Sequence, residues 1–173
     1  ETGVIGDEGM TGLPAALIGG SSPNLVFCQV PGSALRMPAA VLREELQRGG
    51  GPVLDAVHRY LNYVVAMLSQ GSACNRIHTI ETRLARWLLM AHDRVRRDAL
   101  PLTQEFLSQM LGVQRPSVNI AVGTLEKAGF IEHRRGQLTV VNRAGLESAA
   151  CDCYVYLKDR LREVLPEQPA ERS

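Results

Sequence analysis

The side chains best suited to chemistry lie between residues 103 and 135. Gln114, Arg115, Ser117, Asn119 and Ile120 are the outward positions at the start of a helical pattern. An arginine can pair bidentately with guanine, Gln114 and Asn119 can read adenine edges, and Ser117 or Thr103 can meet a phosphate. Arg134 and Arg135, together with the helix N-terminus at Gln104, are placed to neutralise backbone phosphates. A solvated polar helix face and a basic turn would look the same in isolation. What separates the readings is the order of the elements around these residues.

Thr103 suits the N-cap of a short helix from Gln104 to Leu111, with Phe106, Leu107 and Met110 inward and Ser108 small where a second helix must cross. Gly112 makes the turn and Val113 plugs its corner. Pro116 fits the first turn of a second helix running to about Ala128, which buries Val118, Ala121, Val122 and Leu125. Gly129 stops it. Phe130 to His133 and Gln137 to Val141 then read as two strands around Arg134-Arg135-Gly136. Helix, glycine turn, helix, glycine stop and basic hairpin together spell a winged helix-turn-helix, and the expected ligand is double-stranded DNA.

Charge supports this. Residues 1–75 carry four arginines against six acidic residues, whereas residues 76–143 carry eleven basic against six acidic ones, within a chain of net charge +1. A concentrated basic excess is the footprint of phosphate contact, though a solvated face produces it too. No Gly-rich phosphate loop, nucleophile elbow or paired-carboxylate spacing is present, so no enzyme and no catalytic residue is expected. No apolar run approaches a membrane span and no signal peptide is evident, which makes a cytoplasmic protein without a membrane partner the expectation.

Cys28, Cys74, Cys151 and Cys153 are too few and too irregular for a secreted disulfide framework and read as reduced thiols. Cys151-x-Cys153 falls on a closing helix whose apolar side includes Leu146, Ala150, Cys153, Leu157 and Leu161, so Cys153 reads as a small buried hydrophobe rather than a metal ligand. His58, His78, His92 and His133 are scattered without a ligand partner in sequence. No metal and no cofactor are expected.

The elements that must position the motif are less regular. Residues 3–38 are rich in Gly, Pro and short apolar runs (Val4-Ile5, Leu25-Val26-Phe27, Ala34-Leu35-Arg36-Met37), which suggests short strands of a β domain whose other part lies upstream. Pro38 opens a helix over Ala39 to Gln47, ended by Gly49-Gly50-Gly51-Pro52. Leu54, Val57, Leu61, Val64 and Leu68 follow with a/d heptad spacing, favouring a dimer seam over a buried core helix because no second long heptad is available to cover it. Gly71, Asn75 and His78 continue the spacing with polar groups, at a fraying end or a polar site. Thr79 can cap a further helix with Ile80, Leu84, Trp87, Leu88 and Ala91 on one face, and His92-Asp93 through Asp98 reads as a charged connection. The tail from Pro166 is polar and expected to be disordered.

From Asn75-Arg76-Ile77-His78 through Thr82-Arg83-Leu84-Ala85-Arg86-Trp87-Leu88-Leu89, Leu102-Thr103-Gln104-Glu105 and Gly112-Val113-Gln114-Arg115-Pro116-Ser117-Val118 to Gly129-Phe130-Ile131, the sequence resembles a Crp/Fnr-type transcription regulator. The resemblance implies an α+β chain: a partial β-roll sensor domain (1–52), a dimerisation helix (53–78), a winged helix-turn-helix domain (79–165) and a disordered tail (166–173). It implies a homodimer on a palindromic operator, working with RNA polymerase. The alternative is a ligand-independent dimeric protein-interaction module. Gly6-Asp7-Glu8-Gly9 through Ala16-Leu17 falls where cyclic-nucleotide members keep their phosphate-binding cassette, yet between Gly20 and Val26 there is no basic side chain for a cyclic phosphate. Cyclic AMP is therefore not expected. Pro116 replaces the acidic residue common after the arginine, so the family's usual operator does not carry over. The cysteines do not form the N-terminal cluster of iron-sulfur members.

Overall fold

A long helix organises the chain because two apolar faces run along it. In the computed structural model, which describes residues 3–22 and 24–164, α3 spans Pro52–Ile77, about 39 Å at 1.5 Å per residue. The face most deeply buried by its own chain is Val57, Tyr60, Tyr63, Met67 and Cys74. Leu54, Leu61 and Val64 are only half-buried, and Val65 and Leu68 are exposed. The expectation that α3 lacks an intrachain partner is corrected. It packs on the closing helix α8 (Cys153–Val164), which has too short an apolar run to show a heptad.

The expected strands before residue 38 are also corrected, since no strand is formed among the described residues 3–38. A strand needs a hydrogen-bonded neighbour, and this segment folds instead as loops around α1 (Leu13–Ile18), followed by α2 (Ala39–Gln47). Val4, Leu13 and Ala16 are buried, Val4 and Leu13 in the apolar core shared with Val57 and Tyr60 of α3, while Leu25, Val26, Phe27, Leu35 and Met37 stay exposed. Polar clasps hold the segment, among them contacts to Tyr60, Arg94 and Arg43. The Tyr60 hydroxyl donates to the Met10 carbonyl at 3.1 Å, Arg94 pairs with Glu8 at 2.7 Å with both side chains largely buried, and Arg43 donates to the Ala15 carbonyl at 2.6 Å.

The second half is built around α4 (Ile80–Val95). Thr79 caps it, its hydroxyl accepting from the Thr82 amide. Leu84, Trp87 and Leu88 are buried as the spacing predicts, but so are Arg83, Ala85, Leu89 and Met90. α4 is a central helix with neighbours on most sides: α5 (Gln104–Leu111), α6 (Arg115–Lys127), α7 (Arg143–Ala149) and α8. Its last turn includes His92, Asp93 and Arg94, which the sequence pattern assigns to a connection. There they are paired rather than solvated. Arg143 donates to the Asp93 carboxylate at 2.6 Å and to the Tyr154 hydroxyl at 2.7 Å, and Tyr154 donates to Asp93 at 2.9 Å. Burial, then the Asp93 charge, raises the Tyr154 phenol above its ordinary value and keeps it a donor.

A short strand β1 (Ala99–Leu100), not anticipated from the sequence, joins β2 (Ile131–Arg134) and β3 (Gln137–Val140) in an antiparallel sheet of order β1-β3-β2. Leu100 pairs with Leu138 and Ile131 with Val140, which puts four buried apolar side chains on the inner face. The closing helix is two helices. The 3.6-residue spacing of Leu146, Ala150, Cys153 and Leu157 continues across a break at residues 150–152, because α7 lies on α4 and α8 on α3. Helices with a small antiparallel sheet make the fold α+β. Among the described residues no helix is long and apolar enough to cross a membrane. The tail expected to be disordered lies outside the described residues.

Candidate nucleic-acid interface

Local signals set the two-helix unit. The Thr103 hydroxyl accepts from the Phe106 amide at 3.1 Å, starting α5 where the sequence places it. Gly112 ends α5 in the left-handed region at φ 65°, where a side chain would be strained. The Val113 amide returns to the Ser108 carbonyl at 3.1 Å, and Val113 packs against the core. Ser108 is buried, its hydroxyl folded back onto the Glu105 carbonyl at 2.7 Å, which leaves room for α6. Beneath the turn, the buried Arg83 guanidinium donates to the Leu111 carbonyl at 2.5 Å. Arg83 is a support that the sequence pattern does not single out. An arginine amid the apolar positions of α4 is its only signal.

α6 buries Val118, Ala121, Val122 and Leu125, as the spacing requires. Gln114, Arg115, Asn119 and Ile120 are exposed together and Ser117 is half-buried, so the outward set is presented on one helical face. Gln114 is the N-cap residue and makes no side-chain cap bond; its carbonyl accepts from the Ser117 amide at 3.0 Å and the Val118 amide at 3.3 Å, which leaves its side chain uncommitted within the helix. Arg115 reaches Glu105 at 3.4 Å with both side chains more than half exposed. Such a pair contributes little and exchanges readily.

The hairpin closes through a two-residue turn, with Arg135 at φ 50°, Gly136 at φ 79° and Arg134 paired with Gln137. Both arginines are exposed, Arg134 lying 3.6 Å from Glu132. The hairpin is tied to α6 close to its turn, where the His133 amide donates to Glu126 at 2.7 Å. At its tip Gly136 approaches α5: a β-carbon there would sit 3.5 Å from the Thr103 methyl. Wing tip, Thr103, half-buried Gln104, Glu105 and Arg115 thus form a continuous neighbourhood. The structure gathers Thr103, Gln104, Gln114, Arg115, Ser117, Asn119, Ile120, Arg134 and Arg135 onto this part of the domain. Leu54, Val57, Leu61, Val64 and Leu68, the residues expected to form a dimer seam, lie on α3, and of these Val57 is buried within its own chain.

A second constellation is not evident from the sequence: Cys74, His78, Cys151 and Cys153 converge at the junction of α3 with α8. Two pairs with close spacing, Cys74 with His78 and Cys151 with Cys153, are the available signal.

Residues 82–149, from the first turn of α4 to the end of α7, match the family model of the Crp-like helix-turn-helix domain. No curated protein matches the chain. Among solved structures, the chain is similar to a transcriptional regulator assigned to the Crp/Fnr family from Eubacterium rectale, with 17% identity and a TM-score of 0.51 over 64% of this chain and 51% of that one. The likeness is one of fold, and this chain spans about half the length of that relative.

Proposed function

We propose that this chain, whose residues 82–149 form a Crp-like helix-turn-helix domain, is a bacterial cytoplasmic transcription regulator that binds a palindromic operator as a homodimer. One observation carries the reading: the basic hairpin tip approaches Thr103 while Arg115, at the uncovered start of α6, reaches Glu105, so both bear on the first turn of α5. On this reading α6 enters a major groove. Arg115 leaves its exposed pair with Glu105 for a guanine, Gln114 and Asn119 meet neighbouring base edges, and Ile120 makes apolar contact there. Ser117, Thr103 and the amides at the start of α5, beginning with Gln104, face phosphate. Arg134 and Arg135 hold the adjacent backbone.

The half-exposed stripe of Leu54, Leu61 and Leu68, with exposed Val65 beside it, supports pairing of α3 with its equivalent in a second copy. Two α6 helices related by a two-fold axis then read half-sites about 34 Å apart, one turn of duplex. RNA polymerase is the proposed downstream partner. No catalytic step is assigned, and cyclic AMP is not the proposed signal, because Ser21-Ser22-Pro23-Asn24-Leu25 offers no cation.

Binding to random-sequence and selected duplexes, followed by fluorescence anisotropy across a salt series, tests the reading. It predicts a steep linear fall of log affinity with log salt and a preference for selected sites. Absence of duplex binding at low salt would overturn it and leave the dimeric protein-interaction module.

A further inference from the structure

Three of the four cysteines and one histidine meet where the long helix gives way to the DNA-binding domain. Cys74 and His78 sit one turn apart at the end of α3. Cys151 lies in the α7–α8 connection and Cys153 begins α8. Cys74, Cys151 and Cys153 are 0%, 8% and 2% exposed. His78 is half-buried, leaving a side open to solvent.

These thiols do not behave as core filler. They form a buried cluster of their own, separate from the main apolar core, and polar atoms are turned toward them. Cys74 Sγ and Cys151 Sγ are 3.6 Å apart, Cys153 Sγ is 3.5 Å from His78 Nδ1, and the Gln70 amide donates to Cys153 Sγ at 3.0 Å. All four candidate ligand atoms lie within 4.8 Å of one another. A tetrahedral ion with metal–sulfur bonds near 2.3 Å places its ligand sulfurs about 3.8 Å apart, close to the spacing here. An iron–sulfur cluster, with several irons between its ligands, needs a wider cage.

We infer that Cys74, His78, Cys151 and Cys153 form a tetrahedral Cys3His site for one thiophilic divalent cation of the zinc class, which fastens the end of α3 to the start of α8. Three thiolates and an imidazole suit zinc, and four protein ligands leave no open position, the pattern of a structural rather than a catalytic ion. Binding forms three metal–sulfur bonds and one metal–nitrogen bond, each thiol releasing its proton to solvent, with no change of oxidation state. The Gln70 amide hydrogen bond to Cys153 acts as outer support for a thiolate. Parts of the ligand set are held by the backbone itself: the His78 amide bonds the Cys74 carbonyl at 3.1 Å and the Tyr154 amide bonds the Cys151 carbonyl at 2.9 Å. The clasp therefore ties the helix that carries the exposed leucine stripe to the helix that closes the helix-turn-helix domain.

The test uses the full chain, reduced and stripped with a chelator, without DNA, so that its outcome is independent of the DNA-binding reading. Zinc is titrated against a chromophoric competitor, and cobalt replaces zinc for spectroscopy. The site predicts one equivalent per chain with nanomolar or tighter affinity, intense tetrahedral visible bands with thiolate charge transfer for cobalt, and a zinc-dependent rise in Tm. His78→Gln, at a half-buried position that should fold, and Cys153→Ser should each weaken zinc at least tenfold and remove the Tm rise. Cys28→Ser, an exposed thiol outside the cluster, should change neither. Binding weaker than micromolar, cobalt spectra without thiolate bands, or His78→Gln binding as tightly as the parent would overturn the site. A Cys74–Cys151 disulfide that persists with zinc present would overturn it as well.

Discussion

Thr103 joins the start of α5 to the wing, and its replacement by Val separates its hydroxyl from its shape. The hydroxyl accepts from the Phe106 amide at 3.1 Å while the methyl faces Gly136. Thr103→Val keeps the volume and removes the acceptor, leaving a first-turn amide to water at an exposed position. Loss of an N-cap of this kind costs about 1 kcal/mol, within a range of roughly 0.5–2. In a chain of 173 residues that shares one apolar core, that is a fall in Tm of about 2–4 °C per kcal/mol. Thr103→Ser keeps the cap and removes the methyl, and should stay within about 0.5 kcal/mol of the parent. Urea and thermal unfolding followed by circular dichroism give both values on the full chain. Equal destabilisation by Ser and Val would mean that the methyl packing contributes as much as the cap. A Val variant as stable as the parent would mean that the Phe106 amide needs no cap.

Leu61→Asp with Leu68→Asp places charge at one half-buried and one exposed position of the α3 stripe, at a cost of several kcal/mol to any interface there, so sedimentation at micromolar concentration should show monomers. Persistence of the dimer would place the seam elsewhere. Arg134→Ala with Arg135→Asn removes both wing charges, asparagine being suited to the φ of 50° at position 135. The slope of log affinity against log salt should flatten by about 0.9 for each phosphate that the wing no longer neutralises, on operator and random duplex alike. Calorimetry with cyclic AMP should give no heat of specific binding, and a micromolar dissociation constant would show that a cation outside residues 20–26 serves the phosphate.

The helix-turn-helix was legible because its signals are local. A capping threonine, a left-handed glycine and the apolar spacing of α6 each act within a few residues, and the structure keeps all three. Features that depend on distant partners were not legible. β1 has two residues, and only its pairing with Thr139 and Leu138 makes it a strand. The apolar runs before Pro38 have the composition of strands and, among the described residues, no strand to pair with. The break between α7 and α8 is hidden because the helical spacing runs through it, and it exists because two different helices must be covered. Cys74 and Cys151 are 77 residues apart, so neither spacing nor type marks them as neighbours. At α3 the heptad spacing marks one helix face, whereas the deepest burial falls on Val57, Tyr60, Tyr63 and Met67, a face set by partners distant in sequence.

The most direct test of the central claim is the change in base preference caused by Arg115→Ala. An operator is first selected from random duplexes with the parent protein at a stated salt concentration, and every single-base variant of one half-site is then measured with both proteins, each verified as folded. A recognition role for Arg115 predicts that Arg115→Ala costs about 1–3 kcal/mol on the selected operator, relaxes discrimination at one base pair per half-site, and leaves affinity for random duplex much less affected. An unchanged pattern of base preference would contradict the placement of α6 in the major groove.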